Sequence, residues 1–158
     1  MITLELTDQQ MKKLQTLADF IPLLYDLFKP FRKENQGLVT ERIKTYEDAC
    51  RELGRKPYDE ARLTEMGLDS KDIAYLKLTV IVEALNEGWI PDVCDIKVYR
   101  WYPYFRPNGS PSSFAFRASD CDVECAVAGS GSRLALKDEE LADYCGRQFI
   151  DLWKEFLL

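Results

Sequence analysis

The chain has 158 residues, 46% of them apolar, and carries a formal charge of −6 with no histidine. That length and apolar content suit one domain with a single sizeable core and exclude a disordered chain. The negative balance disfavours broad electrostatic binding of duplex nucleic acid, and the missing histidines remove the commonest general base and metal ligand, along with the usual hydrolase triads and zinc hydrolase sites.

No run of eighteen apolar residues occurs, and MITLELTDQQMKK places polar and charged residues where a signal peptide needs its apolar region. A soluble protein in a bacterial cytoplasm, with no membrane association, is the expectation. The five cysteines, Cys50, Cys94, Cys121, Cys125 and Cys145, are odd in number and lack secretory context, which predicts reduced thiols.

Thr7 and Gln10 form a capping-box pattern, after which Met11, Leu14, Leu17, Ala18 and Ile21 line one helical stripe up to Pro22. Leu23, Leu24, Leu27 and Phe28 continue the apolar run to Pro30, and residues 32–37 are polar. Residues 1–36 therefore read as an N-terminal helical arm and linker, and residues 37–158 as a core domain. The plainer reading packs the arm on its own core; the sharper one uses it for self-association or for docking into a partner protein.

A short packing helix is expected behind Thr45, with Asp48 completing a box and Tyr46, Ala49, Cys50 and Leu53 on one face before Gly54. Residues 55–68 mix Pro57, Gly67 and many charges, so they read as a connection with room for one helical turn. The longest apolar segment follows. Asp69 or Ser70 caps a helix predicted to end near Gly88, in which Ile73, Leu76, Val80, Ile81, Ala84 and Leu85 recur at helical spacing. Leu78 and Val82 widen that stripe beyond one face, so contacts on at least two sides are expected.

The pattern then turns to strands. IKVYRWYPYF over residues 96–105 is β-branched and aromatic, Pro107, Asn108, Gly109, Ser110 and Pro111 turn the chain, and residues 114–119 alternate as a return strand. Pro103 requires an edge or a bulge at the far end of the first strand. Residues 129–132 read as a loop and RLALK, residues 133–137, as a third strand. Asp138 caps a closing helix over residues 138–158 with Leu141, Cys145, Phe149, Leu152, Trp153 and Phe156 on its apolar face. The predicted fold class is α+β, with helices packed on one face of a small three-stranded antiparallel sheet.

The segments IKTYEDACRELG (residues 43–54), LTVIVEALNEGWIPD (78–92), WYPYF, GSRLALK (131–137) and YCGRQFIDLWKEFL (144–157) together resemble a family of small uncharacterised proteins of Bacteroides-type phages and mobile elements. The resemblance spans residues 43–158. It implies an origin and fold-level kinship, and it transfers no catalytic residues; the N-terminal arm departs from the family pattern.

Chemistry is then sought residue by residue. Cys121 and Cys125 are four apart, without the CxxC spacing of zinc sites, and small thiols in ordinary packing account for them better. AVAGSGSRL, residues 126–134, has the glycines of a phosphate loop but leads into a strand pattern and lacks the lysine–hydroxyl pair, which favours a hairpin turn. Asp120, Asp122 and Glu124 alternate, an arrangement that suits a divalent cation but more often guards a strand edge. The leading candidate for ligand binding is the strand face of Arg100, Tyr102, Tyr104 and Arg106, with Arg117 from the return strand, where rings would stack on bases and guanidiniums meet phosphate. Cross-strand packing beneath a helix is its bland counterpart. Together these features predict a non-enzymatic phage or mobile-element protein without cofactor that binds another macromolecule, a protein foremost. The main alternative is a nucleotide or single-stranded nucleic-acid binder using the Tyr/Arg face, and the more distant one a carboxylate-dependent metal enzyme.

Overall fold

Side chains three residues from the backbone groups they satisfy start four of the helices. The computed structural model describes residues 37–92, 97–106, 111–122 and 132–158. The arm and linker predicted over residues 1–36 lie outside the described residues, as do Cys94, Cys125, Glu124 and the turn at residues 107–110. After a single turn α1 (Val39–Arg42), which the sequence did not announce, α2 (Tyr46–Glu52) begins at a full capping box between Thr45 and Asp48. Asp59 caps α3 (Glu60–Glu65), the one helical turn allowed for in the connection. Asp69 and Asp72 form the box that starts α4 (Ser70–Leu85), and Asp138 caps α5 (Glu139–Gln148). Each such cap contributes about 1 kcal/mol by pairing an amide that the helix leaves open.

The long helix stops at Leu85, a turn before Gly88, because two consecutive left-handed residues end it: Glu87 at φ 50° and Gly88 at φ 89°. A non-glycine residue holds φ > 0 only where its surroundings compensate. The Glu87 carboxylate meets Arg42 at 2.6 Å and Lys137 at 3.3 Å, and Arg42 is also paired with Glu52.

The closing helix is two helices, not one. Phe149, at φ −111° and ψ 30°, interrupts it and α6 (Ile150–Leu157) follows. The apolar face nonetheless works as expected: Leu141, Cys145, Phe149 and Trp153 are buried, and Leu152 and Phe156 pack against them. These join Ile43, Leu78, Ile81, Leu85 and Leu136 in one core within the compact unit Val39–Leu158. α4 runs through this core and packs mainly against α2 and α6.

Among the described residues the sheet has two strands, which corrects the three predicted. β1 (Arg100–Arg106) pairs antiparallel with β2 (Ala115–Asp122), with an irregularity between Tyr104 and Phe105, in the far half of the strand, where Pro103 called for an edge or a bulge. The segment read as a third strand contributes one bridge. Trp101 N–H donates to the Leu136 carbonyl at 3.0 Å and Leu136 N–H to that of Trp101 at 2.9 Å. In that register the next pair would join Pro103 to Leu134, but Pro103 has no N–H and residues Ser132–Leu134 form a 3-10 turn. In the other direction the pair would need Asp138, which is already the cap of α5. On its far side the same segment is held by a side chain instead of a strand: Asn86 Nδ2 donates to the Ala135 carbonyl at 2.8 Å, and Lys137 N–H donates to Asn86 Oδ1 at 3.1 Å.

α5 covers one face of the hairpin. Its Gly146 is the point of closest approach, where a Cβ would lie 2.7 Å from the Pro103 Cβ and against the Phe116 ring. Phe105 adds rings to the same layer, stacked on Phe114 at 4.8 Å and tilted on Trp153 at 5.4 Å.

Candidate functional site

The hairpin register fixes the two faces of the predicted Tyr/Arg site. Cross-strand partners share a face, so Tyr102 opposite Asp120 and Tyr104 opposite Ala118 stand on the side away from α5, with Arg106 opposite Ala115. Tyr104 is 53% exposed, and Arg106 and Arg117 are also exposed, without an ion-pair partner among the described residues. Tyr102 is half-buried, and Arg100 is 1% exposed, so its guanidinium belongs to the interior. The structure thus brings Tyr104 and Arg106 together on an outer face, with Tyr102 partly covered, and places Arg100 out of a ligand's reach.

The acidic edge resolves in part. Asp120 is exposed and its Oδ1 accepts from the Cys121 N–H at 2.8 Å, occupying an amide on its own strand. Glu124 lies outside the described residues, and among the described residues no group of three Cys, Asp or Glu side chains is placed to hold a metal ion. Cys50 and Cys145 are buried free thiols and Cys121 is a half-buried one. Burial pushes the Cys145 thiol up to about 12, with the Trp153 indole partly opposing the shift. Such a thiol is a poor nucleophile near neutral pH. Burial likewise raises the phenols of Tyr46 and Tyr144, whose hydroxyls respectively accept from the Tyr58 N–H at 3.0 Å and donate to the Ile43 carbonyl at 2.6 Å.

An open concavity among the described residues lies elsewhere, along α4. Leu76, Thr79, Val80, Glu83 and Asn86 recur at helical spacing and form the floor of an open groove of about 500 Å³. One wall carries Arg55 and Tyr58 from the connection after α2, the other Trp89, Ile90 and Pro91 together with Arg133 and Ala135. The consecutive left-handed residues Glu87 and Gly88 bring the chain back beside the helix, with the Trp89 N–H donating to the Asn86 carbonyl at 2.9 Å.

Ile90 is 83% exposed and Tyr58 is 40% exposed. The polar groups at the rim are sparse. Arg55 makes a two-pronged pair with Glu83 at 2.6 and 2.7 Å, and that carboxylate raises the guanidinium's pKa against the lowering effect of burial. Arg133 is exposed and has no ion pair among the described residues.

This groove was not singled out in the sequence, although LTVIVEALNEGWIPD held a signal. An apolar helix with residues on every side, followed by Trp89 and Ile90 past its glycine, has more apolar surface than one set of contacts needs. No family model, no curated protein and no solved structure matches the chain.

Proposed function

We propose that the protein is a non-enzymatic binding protein whose partner is another protein, received in the groove along α4. One observation carries this reading: an open trough with Leu76 and Val80 in its floor and Tyr58, Trp89 and Ile90 at its edges lies beside the core. Exposed aliphatic and aromatic groups in a concave surface, with few charges, match the centre of a protein interface. Arg55 and Glu83 neutralise each other, so among the described residues the one carboxylate lining the groove is already paired with a guanidinium. A bacterial cytoplasm and a phage or mobile-element origin complete the proposal, supported by the sequence motifs. The apolar stripe read in residues 11–28 supports self-association as a further protein contact.

A photo-crosslinking amino acid in place of Ile90, expressed in the host cell, tests the reading. The expected product is a discrete covalent adduct with one protein, lost when Leu76→Asp is added. Adducts with nucleic acid, or none above a surface control at Glu47, would overturn it. The exposed Tyr104, Arg106 and Arg117 favour a second reading, single-stranded nucleic acid or a nucleotide on the outer hairpin face. The same crosslinker at Tyr104 would then yield nucleic-acid adducts.

A further inference from the structure

Resting on the reading of the groove as a protein-binding site, we infer that its occupant is an amphipathic helix of a partner protein carrying a carboxylate beside its apolar anchors. The shape argues for a helix. The floor runs from Leu76 to Asn86 on one helix, a rise of about 15 Å, and it is bounded on both sides. A second helix laid along that floor presents anchors at i, i+3, i+4 and i+7 over the same length, which is the helix-in-groove mode of recognition.

A strand would instead need a free ladder of backbone groups. At the edge formed by residues 135–137 two such groups are already occupied, because the Ala135 carbonyl and the Lys137 N–H are taken by Asn86. The sequence of α4 points the same way. Its apolar residues extend beyond the flank that α2 and α6 cover, and Leu76, beside Thr79, is left half-exposed.

Charge selects the flanking group. Glu83 is neutralised by Arg55, Glu87 by Arg42 and Lys137, and the rim charge without a partner among the described residues is the Arg133 guanidinium. A bound carboxylate there would be held by a charge-assisted, two-pronged contact that lysine could not copy. The overall charge of −6 acts against an acidic partner at long range, so that carboxylate belongs at the Arg133 end of an otherwise apolar or basic helix.

The test is selection on the full chain from a library of end-blocked helical peptides of about twelve residues, with one face randomised. Affinities follow from fluorescence anisotropy. Selected peptides are expected to carry apolar anchors at helical spacing with Glu or Asp at one end. Ile90→Asp should weaken them at least about tenfold. Arg133→Glu should weaken them as well, with partial recovery when the peptide's carboxylate is exchanged for lysine. A proline at the peptide centre should abolish binding.

Retention of binding by the proline peptide, with loss on Ile90→Asp, would overturn the helix while leaving a protein-binding groove. Equal binding by Ile90→Asp, or no selected peptide, would overturn both. A change in the chain's own mass on Ile90→Asp, by light scattering, would assign the groove to a second copy and overturn the inference.

Discussion

On one flank of α4, Leu78, Ile81 and Leu85 are fully buried in the core; on the other, Leu76 and Thr79 are half-exposed at the floor of an open groove. Both flanks carry large aliphatic side chains within one helix, but the groove flank also carries Thr79 and Glu83, so side-chain chemistry separates them only in part. The difference lies in what the rest of the chain brings. α2 and α6 close the first flank, whereas the second is met among the described residues at its margins, by Arg55 and Tyr58 on one side and Trp89 to Pro91 with Arg133 and Ala135 on the other. Apolar patterning states how much surface a helix can bury and leaves open which molecule buries it.

The largest effect should come from setting the two flanks against each other. Leu78→Ala is expected to cost about 2 to 5 kcal/mol in chemical denaturation, and Leu76→Ala less than about 1 kcal/mol, because only the first leaves a cavity in packed surroundings. Equal losses would mean that the groove flank is sealed and that the contrast is false.

Asn86 stands where the flanks meet. Asn86→Ala leaves the buried Ala135 carbonyl and the Lys137 amide without their partner, an expected loss of about 2 to 4 kcal/mol. Hydrogen exchange should accelerate at Lys137. Unchanged exchange there would show that the amide clamp does not hold the segment.

On the closed side, Gly146→Ala must displace Phe116 or Pro103, and about 1 to 3 kcal/mol should be lost. The near-ultraviolet circular dichroism should change with it, since the aromatic layer around Phe105, Phe116 and Trp153 has to shift. A fully stable variant would place α5 farther from the hairpin than described.

The smallest effect is a pH dependence. The Cys145 thiol, fully buried, ionises near 12 in the folded chain against an ordinary value of 9.0. Its contribution is therefore complete below pH 9.0 and is lost as pH rises, because the unfolded chain gives up a proton that the folded chain keeps. Stability should fall by about 1.4 kcal/mol per pH unit above that point. Cys145→Ala should flatten the fall up to about pH 10, where the raised phenols of Tyr46 and Tyr144 begin to act in the same direction. An equal slope in the variant would exclude the thiol as its source.

What the sequence by itself determined is local. Thr45 with Asp48, Asp69 with Asp72, and Asp138 each act on backbone within three residues, so the starts of these helices were legible, as was the hairpin, while Pro103 left an edge or a bulge open. The apolar spacing from Leu141 to Phe156 likewise identified a buried face, although not the break at Phe149, which carries no glycine or proline to mark it. Only the tertiary structure decided the rest. RLALK has the pattern of a strand, but its partners are Trp101 on one side and the side chain of Asn86, 49 residues from Ala135, on the other. Arg100 alternates correctly with Tyr102 and Tyr104 and is nevertheless buried, because alternation fixes a face and not what covers it. The groove follows the same rule. Its floor was visible as apolar spacing in α4, while its openness depends on walls from residues 55–58, 89–91 and 133–135, whose approach no local pattern encodes.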